Sequence, residues 1–124
     1  MEKDCIFCSI SEEKIILENE LAFAIYDKYP VNLGHLLIIP KRHFPDVFSA
    51  TIEEVQAIHN LIKKSRDYLN KKYNPDGFNI GVNLGKVAGQ TIFHLHIHVI
   101  PRYLGDVENP RGGIRNFKEN IVKY

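Results

Sequence analysis

Phe93-His94-Leu95-His96-Ile97-His98-Val99-Ile100 is the stretch whose reading decides the fold. Side chains alternate faces along a β-strand, so His94, His96 and His98 share one face and Leu95, Ile97 and Val99 the other. Neighbouring histidines then stand about 7 Å apart, two residues at ~3.3 Å each. The apolar face packs on a core. The histidine face lines a cleft, because three imidazoles in an apolar interior would need too many hydrogen-bond partners.

The segments around this strand supply the rest of a sheet. Residues 15–18 and 21–26 read as strands joined at Asn19-Glu20, and His35–Ile39 as a third, stopped by Pro40. Phe78–Asn83 reads as a fourth, and Phe93–Ile100 as a fifth, closed by Pro101. Residues 5–11 suit a short N-terminal helix, and Leu84–Gln90 a glycine-containing loop. A long helix is predicted over roughly 52–72. Thr51 and Glu54 form a capping box at its start, and Ile52, Val55, Ile58, Ile62 and Leu69 recur at helical spacing. Asn74-Pro75-Asp76-Gly77 ends it. The expected fold class is α+β: about five strands, mainly antiparallel, with one long helix. A single domain over 1–124 is expected, residues from about 103 to 124 forming an extended or irregular tail.

Composition narrows the partners. The chain has 124 residues, 25% of them charged, and a formal net charge of +1. That balance gives no field to collect nucleic acid or a membrane surface, so any anion site is local. No run of 18 apolar residues suggests a membrane span. The start, Met1-Glu2-Lys3-Asp4, lacks the pattern of a signal peptide, and a cytoplasmic location is expected.

Three uses of the histidine strand compete on the residues alone. It could be a solvated face, a three-histidine metal site, or a centre for phosphoryl chemistry by imidazole. The third has a simple physical basis. An unperturbed histidine is roughly three quarters neutral at pH 7, and two imidazolium ions ~7 Å apart repel by about 2 kcal/mol at an effective dielectric of ~20. One neutral ring beside one protonated ring is therefore the expected state, and it matches a nucleophile with a general acid. Cys5 and Cys8 are too close together for a useful structural crosslink, and their spacing suits metal ligands or a redox pair. No strand precedes Cys5, which sets aside a thioredoxin-like pair. His59, within the long helix, reads as structural or solvated.

The sequence resembles the histidine triad family, on His94-Leu95-His96-Ile97-His98-Val99-Ile100 and its upstream Gly89-Gln90-Thr91. The likeness extends to Cys5-Ile6-Phe7-Cys8, Ala24-Ile25-Tyr26-Asp27, Gly34 through His43, and Asn83 through Arg102. It implies a sheet-and-helix unit that forms a homodimer and hydrolyses or transfers nucleoside monophosphates from nucleotide-linked substrates. It makes His96 the nucleophile and sets His98 at the α-phosphate and leaving group. His35 completes the phosphate end. Asn83, Gly89, Gln90 and Thr91 match the phosphate-contacting loop, Asp27 the ribose ligand, and Phe7, Ile10 and Ile25 the base pocket. Zinc-bearing relatives imply a structural zinc on Cys5, Cys8, His43 and His94, with no catalytic metal required. Arg111 and Arg115 fit either surface charges or contacts to a distal phosphate.

Ala88-Gly89-Gln90-Thr91 and Pro101-Arg102 lean toward cleavage of dinucleoside polyphosphates, with AMP as the transferred group. Nucleoside phosphoramidates are the alternative substrate class. A nucleotide-binding interaction module with residual catalysis is the alternative of another kind.

Overall fold

The chain enters its sheet through a hairpin. Strand β1 (Ile15–Glu18) turns at Asn19 into β2 (Ala22–Tyr26). The turn holds because Asn19 Oδ1 accepts from the Leu21 and Ala22 N–H groups at 3.1 and 2.9 Å. Strand β3 (Leu36–Pro40) follows, then helix α1 (Ile52–Tyr73), β4 (Gly77–Gly81) and β5 (Ile97–Arg102). These elements come from a computed structural model that describes residues 4–118 and 123. Every pairing is antiparallel, in the order β1-β2-β3-β5-β4. The N-terminal segment forms two short 3-10 helices, Ile6–Ser9 and Glu12–Lys14. In the described part of the tail the one regular element is the 3-10 turn Gly113–Arg115; residues 119–122 and 124 lie outside the described residues.

The sheet has two apolar faces. One packs under α1, where Ala22, Ala24, Leu36, Ile38, Ile97 and Val99 meet Ile58, Leu61 and Leu69. The other carries a smaller cluster of Phe23, Ile25, Leu37 and Ile39, covered by Phe7. His98 stands opposite Leu37 of β3 and Gly81 of β4, on this second face.

Two expectations are corrected here. Helix α1 does not bury Ile52 and Val55, which are 73% and 52% exposed. Its inner face is Glu54, Ile58, Leu61, Ser65 and Leu69. The capping box is present, but a cap contributes only ~1 kcal/mol. Fully buried Leu61 and Leu69 contribute roughly 1.5–3 kcal/mol each, so packing decides which side turns inward. The last strand also starts later than expected, at Ile97, and runs through Pro101. His94 is drawn out of it by a cluster of side chains, and Leu95 N–H donates to Phe44 O. Pro101 is tolerated because β3 pairs with β5 only as far as Val99, leaving an edge position where no N–H is required.

Gly34 sets the entry to β3. Its φ is +91°, and a Cβ there would lie 2.9 Å from the Tyr73 ring. Only glycine brings the chain so close to α1 in this conformation, and His35 follows directly.

Candidate active site and metal centre

His96 is held by its own backbone neighbourhood. Its Nδ1 lies 2.8 Å from His94 O. A carbonyl only accepts, so Nδ1 carries the proton and Nε2 keeps a lone pair. Phe7 packs against the ring at 5.1 Å between centroids, and the His98 ring lies 5.3 Å away.

His98 has the opposite tautomer, fixed through a relay. Val31 N–H donates to His35 Nδ1 at 3.0 Å. His35 Nδ1 is therefore an acceptor, and the ring's proton sits on Nε2. That Nε2 lies 2.9 Å from His98 Nδ1 and 3.4 Å from Asp27 Oδ2. His98 Nδ1 must then accept, which puts the His98 proton on Nε2. Burial, with His35 and His96 adding to it, pushes His98 down to about 4. Burial lowers His35 as well, against the pull of Asp27. Burial thus favours, in the free protein at pH 7, a neutral His98 that donates one N–H. The low-dielectric setting of β5 penalises the charged form more than the neighbouring carboxylate favours it.

His94 faces away from this chemistry. Its Nε2–H donates to Pro40 O at 2.7 Å, leaving the Nδ1 lone pair free. That Nδ1 lies 3.5 Å from Cys5 Sγ, 3.5 Å from Cys8 Sγ and 3.0 Å from His43 Nδ1, and Cys8 Sγ lies 3.4 Å from His43 Nδ1. Four ligand atoms converge on one point. Bonds of 2.0–2.3 Å in a tetrahedron give edges of ~3.3–3.8 Å, close to these separations. His43 is positioned by its neighbour: Arg42 makes a two-pronged contact with buried Glu54, at 3.0 and 2.8 Å. That contact lowers the Glu54 carboxyl, outweighing burial, which raises it.

The remaining expected residues divide. Phe7 and Ile25 are buried on the histidine face with Ile10 packed against them. Asp27 joins the His35–His98 relay through Oδ2, while its Oδ1 accepts from Tyr29 N–H. Gln90 is buried, and its amide staples its own loop: Oε1 accepts from Gly85 N–H, and Nε2 donates to Pro45 O and Ile92 O. Asn83, Gly89 and Thr91 stand exposed on that loop, as do Arg111 and Arg115 in the tail. Three groups that fix the site were not read from the sequence: Val31 N–H, Pro40 O and the Arg42–Glu54 pair. The first two are backbone atoms without a residue signature. The third carried a weak signal, since Glu54 was already marked at the helix start.

The HIT domain profile matches residues 10–105. The chain belongs to the histidine triad (HIT) family. An uncharacterized HIT-like protein of Mycoplasma genitalium is 42% identical over 111 residues, covering 83% of this chain and 79% of that protein. An adenylylsulfatase of Arabidopsis thaliana is 37% identical over 106 residues, 82% of this chain and 54% of that one. A bis(5'-adenosyl)-triphosphatase of Dictyostelium discoideum is 38% identical over 100 residues, with coverages of 81% and 67%. Among solved structures, a zinc-bound histidine triad family protein of Mycobacterium smegmatis superposes with a TM-score of 0.75 at 36% identity, covering 83% of this chain and 78% of that one. The α+β sheet of this HIT protein is thus shared with solved relatives, and its family includes nucleotide-binding hydrolases.

Proposed function

We propose that this HIT protein transfers a nucleoside monophosphate, AMP first among them, from a nucleotide-linked substrate such as a dinucleoside polyphosphate to water, by way of His96. The observation that carries this reading is the pair of opposed tautomers. His96 offers a lone pair at Nε2, and His98 offers a proton at Nε2, from rings 5.3 Å apart.

In the first step His96 Nε2 forms a bond to the α-phosphorus. The bond from phosphorus to the leaving oxygen breaks, and the electron pair departs on that oxygen. His98 Nε2–H donates to the oxygen as charge grows there. The His96 ring becomes cationic, and its Nδ1–H bond to His94 O becomes charge-assisted, so this contact strengthens as the reaction proceeds. In the second step a water oxygen bonds to phosphorus, the P–N bond breaks, its pair returns to His96, and the water's proton leaves to solvent. Asp27 has lone pairs left to accept ribose hydroxyls, since a carboxylate offers about four such positions. Phe7, Ile10 and Ile25 form the wall for the base. His35 orients His98. Gln90 acts by holding its loop, and Asn83, Gly89 and Thr91 supply the polar contacts to phosphate.

A neutral His98 suits substrates whose leaving group departs without a full proton. Polyphosphates and sulfate are of that kind, and an adenylylsulfatase and a bis(5'-adenosyl)-triphosphatase are among the relatives. Phosphoramidates, with basic amine leaving groups, fit less well. Mass spectrometry of protein quenched during turnover tests the reading. A nucleotidyl adduct is expected on His96, and an adduct elsewhere, or none under single-turnover conditions, would sink it.

Cys5, Cys8, His43 and His94 are the residues that would hold a structural zinc, and their donor set fits one. Zinc bound there would crosslink the N-terminal turn to the start of β5 and add to folding stability. A reducing cytoplasm would keep the two thiols available for it. The second partner is another copy of the chain: exposed Ile52 and Val55 leave an apolar strip on α1 for it to cover. Light scattering should give twice the chain mass at micromolar concentration, and a monomer mass would refute the dimer.

A further inference from the structure

Asp27 Oδ2, His35 Nε2 and His98 Nδ1 form a triangle with edges of 2.9, 3.4 and 3.9 Å. Two imidazoles and a carboxylate at such separations are a donor set for divalent transition metals. Both rings are held neutral by burial, which is the ligand form. Like the Cys5–Cys8–His43–His94 cluster, the triangle brings two imidazoles and further ligand atoms within 4.8 Å of one another, with a carboxylate in place of the two thiols. It differs also in the atom behind the ring. Behind His94 stands the Pro40 carbonyl, which accepts a hydrogen bond from Nε2–H and so directs the Nδ1 lone pair at the cluster. Behind His35 stands an N–H.

We propose that the Val31 backbone N–H withholds the Asp27–His35–His98 triangle from divalent metals and reserves it for holding protons. A metal on His35 Nε2 displaces the proton to Nδ1, where it would face the Val31 N–H, donor against donor. The alternative is loss of that proton altogether, which an unassisted imidazole resists. Turning the ring over does not help, because both hydrogen bonds would then meet carbon atoms, and His35 is 2% exposed with no room to move aside. Val31 is thus a positioning residue that acts through its backbone. Its side chain is 68% exposed and contributes nothing to the exclusion. The inference goes beyond the proposed reaction, since it holds whether or not the pocket takes a nucleotide.

Two measurements on the full-length chain test it. In the unaltered protein, 15N chemical shifts of the histidine rings should show His35 and His98 both protonated at Nε2; a His35 proton at Nδ1 would overturn the proposal with no variant needed. The second is a cobalt titration of protein already incubated with one equivalent of zinc, followed by d–d absorption without a thiolate-to-cobalt charge-transfer band. Replacing residue 31 with the α-hydroxy acid analogue of valine exchanges the N–H for an ester oxygen and leaves the side chain. This variant should bind a further Co2+ more tightly than the parent by on the order of 10- to 100-fold, the usual weight of an outer hydrogen bond at a metal. Adding His35→Ala should abolish the gain. Val31→Pro removes the same donor and should behave likewise if folded, while Val31→Ala keeps the N–H and should behave as the parent. An ester variant that gains nothing, or a parent protein that already binds cobalt equally tightly through His35, would overturn the proposal.

Discussion

His94 and His98 lie four residues apart, both beside two or three other potential ligands, yet the structure puts them to different uses. His94 donates a hydrogen bond from Nε2–H to Pro40 O and turns Nδ1 toward two thiols and His43. His98 receives a hydrogen bond at Nδ1 from His35 and turns Nε2–H outward. His96, between them, donates from Nδ1 to the His94 carbonyl and keeps Nε2 bare. The proposed ligand, nucleophile and donor are thus the same side chain, separated by which backbone or ring atom holds the second nitrogen. The comparison can be broken at either end or in the middle.

The middle gives the largest effect. His96→Ala should lower turnover of a dinucleoside polyphosphate by at least roughly 10³-fold, as removal of a nucleophile does, while nucleotide affinity changes little. Turnover within tenfold of the parent would remove His96 from the role.

Breaking the His94 end should act on stability before chemistry. Chelation of metal-loaded protein, or Cys8→Ser, should destabilise the fold by several kcal/mol, measured as a drop in thermal midpoint that added zinc reverses for the parent only. Chelated protein with an unchanged midpoint would mean that the four ligands hold nothing that matters to folding.

The contrast between the two ends also marks what the sequence made legible. The hairpin at Asn19, the capped helix and its end at Asn74 follow from local periodicity and turn chemistry, and they appear in the structure; of the alternation read at 93–100, only the part from Ile97 onward lies in a strand. Convergence of Cys5, Cys8, His43 and His94 was implied by family resemblance. What could not be read is direction. Whether Gln90 points outward or, as found, staples Pro45 O to Gly85 N–H depends on where the loop closes. The inner face of α1 depends on the shape of the sheet beneath it, so Ile52 and Val55 satisfied the helical period and still lie outside. The charge of His98 depends on burial and on His35, which lies just before β3 and 63 residues earlier in the chain.

That charge has a consequence for stability. His98 is pushed below its ordinary value of 6.5 to about 4 in the folded protein, so the unfolded chain binds its proton first. Stability is full above pH 6.5, falls as the pH drops toward 4, and levels below. The total for this group is about 3 kcal/mol, at 1.36 kcal/mol per pH unit. His35, lowered by burial, adds in the same direction. Glu54, lowered by Arg42 from 4.5, enters only at more acid pH. Urea unfolding at pH 7 and pH 5 isolates the histidines. His98→Gln should reduce the loss between these two values, and an equal loss in parent and variant would contradict the neutral, buried His98.

The smallest expected effect is the most specific to mechanism, because it concerns the leaving group alone. If His98 Nε2–H supports the departing oxygen, its removal matters in proportion to the charge that oxygen cannot carry by itself. A polyphosphate leaving group is stable as an anion, and a neutral donor adds only a hydrogen bond to it. His98→Ala should therefore slow kcat/KM for a dinucleoside polyphosphate by about tenfold, the weight of ~1.4 kcal/mol. An adenosine phosphoramidate with a basic amine should suffer more, since its nitrogen cannot depart without a proton. The parent protein should also favour that amine substrate increasingly as the pH falls toward 6, until protonation of the nucleophile intervenes. The polyphosphate should show no such rise. Equal His98→Ala penalties on both substrates, under conditions where chemistry and not product release limits the rate, would confine His98 to holding the phosphate. The relay from Val31 through His35 would then position a binding group, with no part in bond breaking.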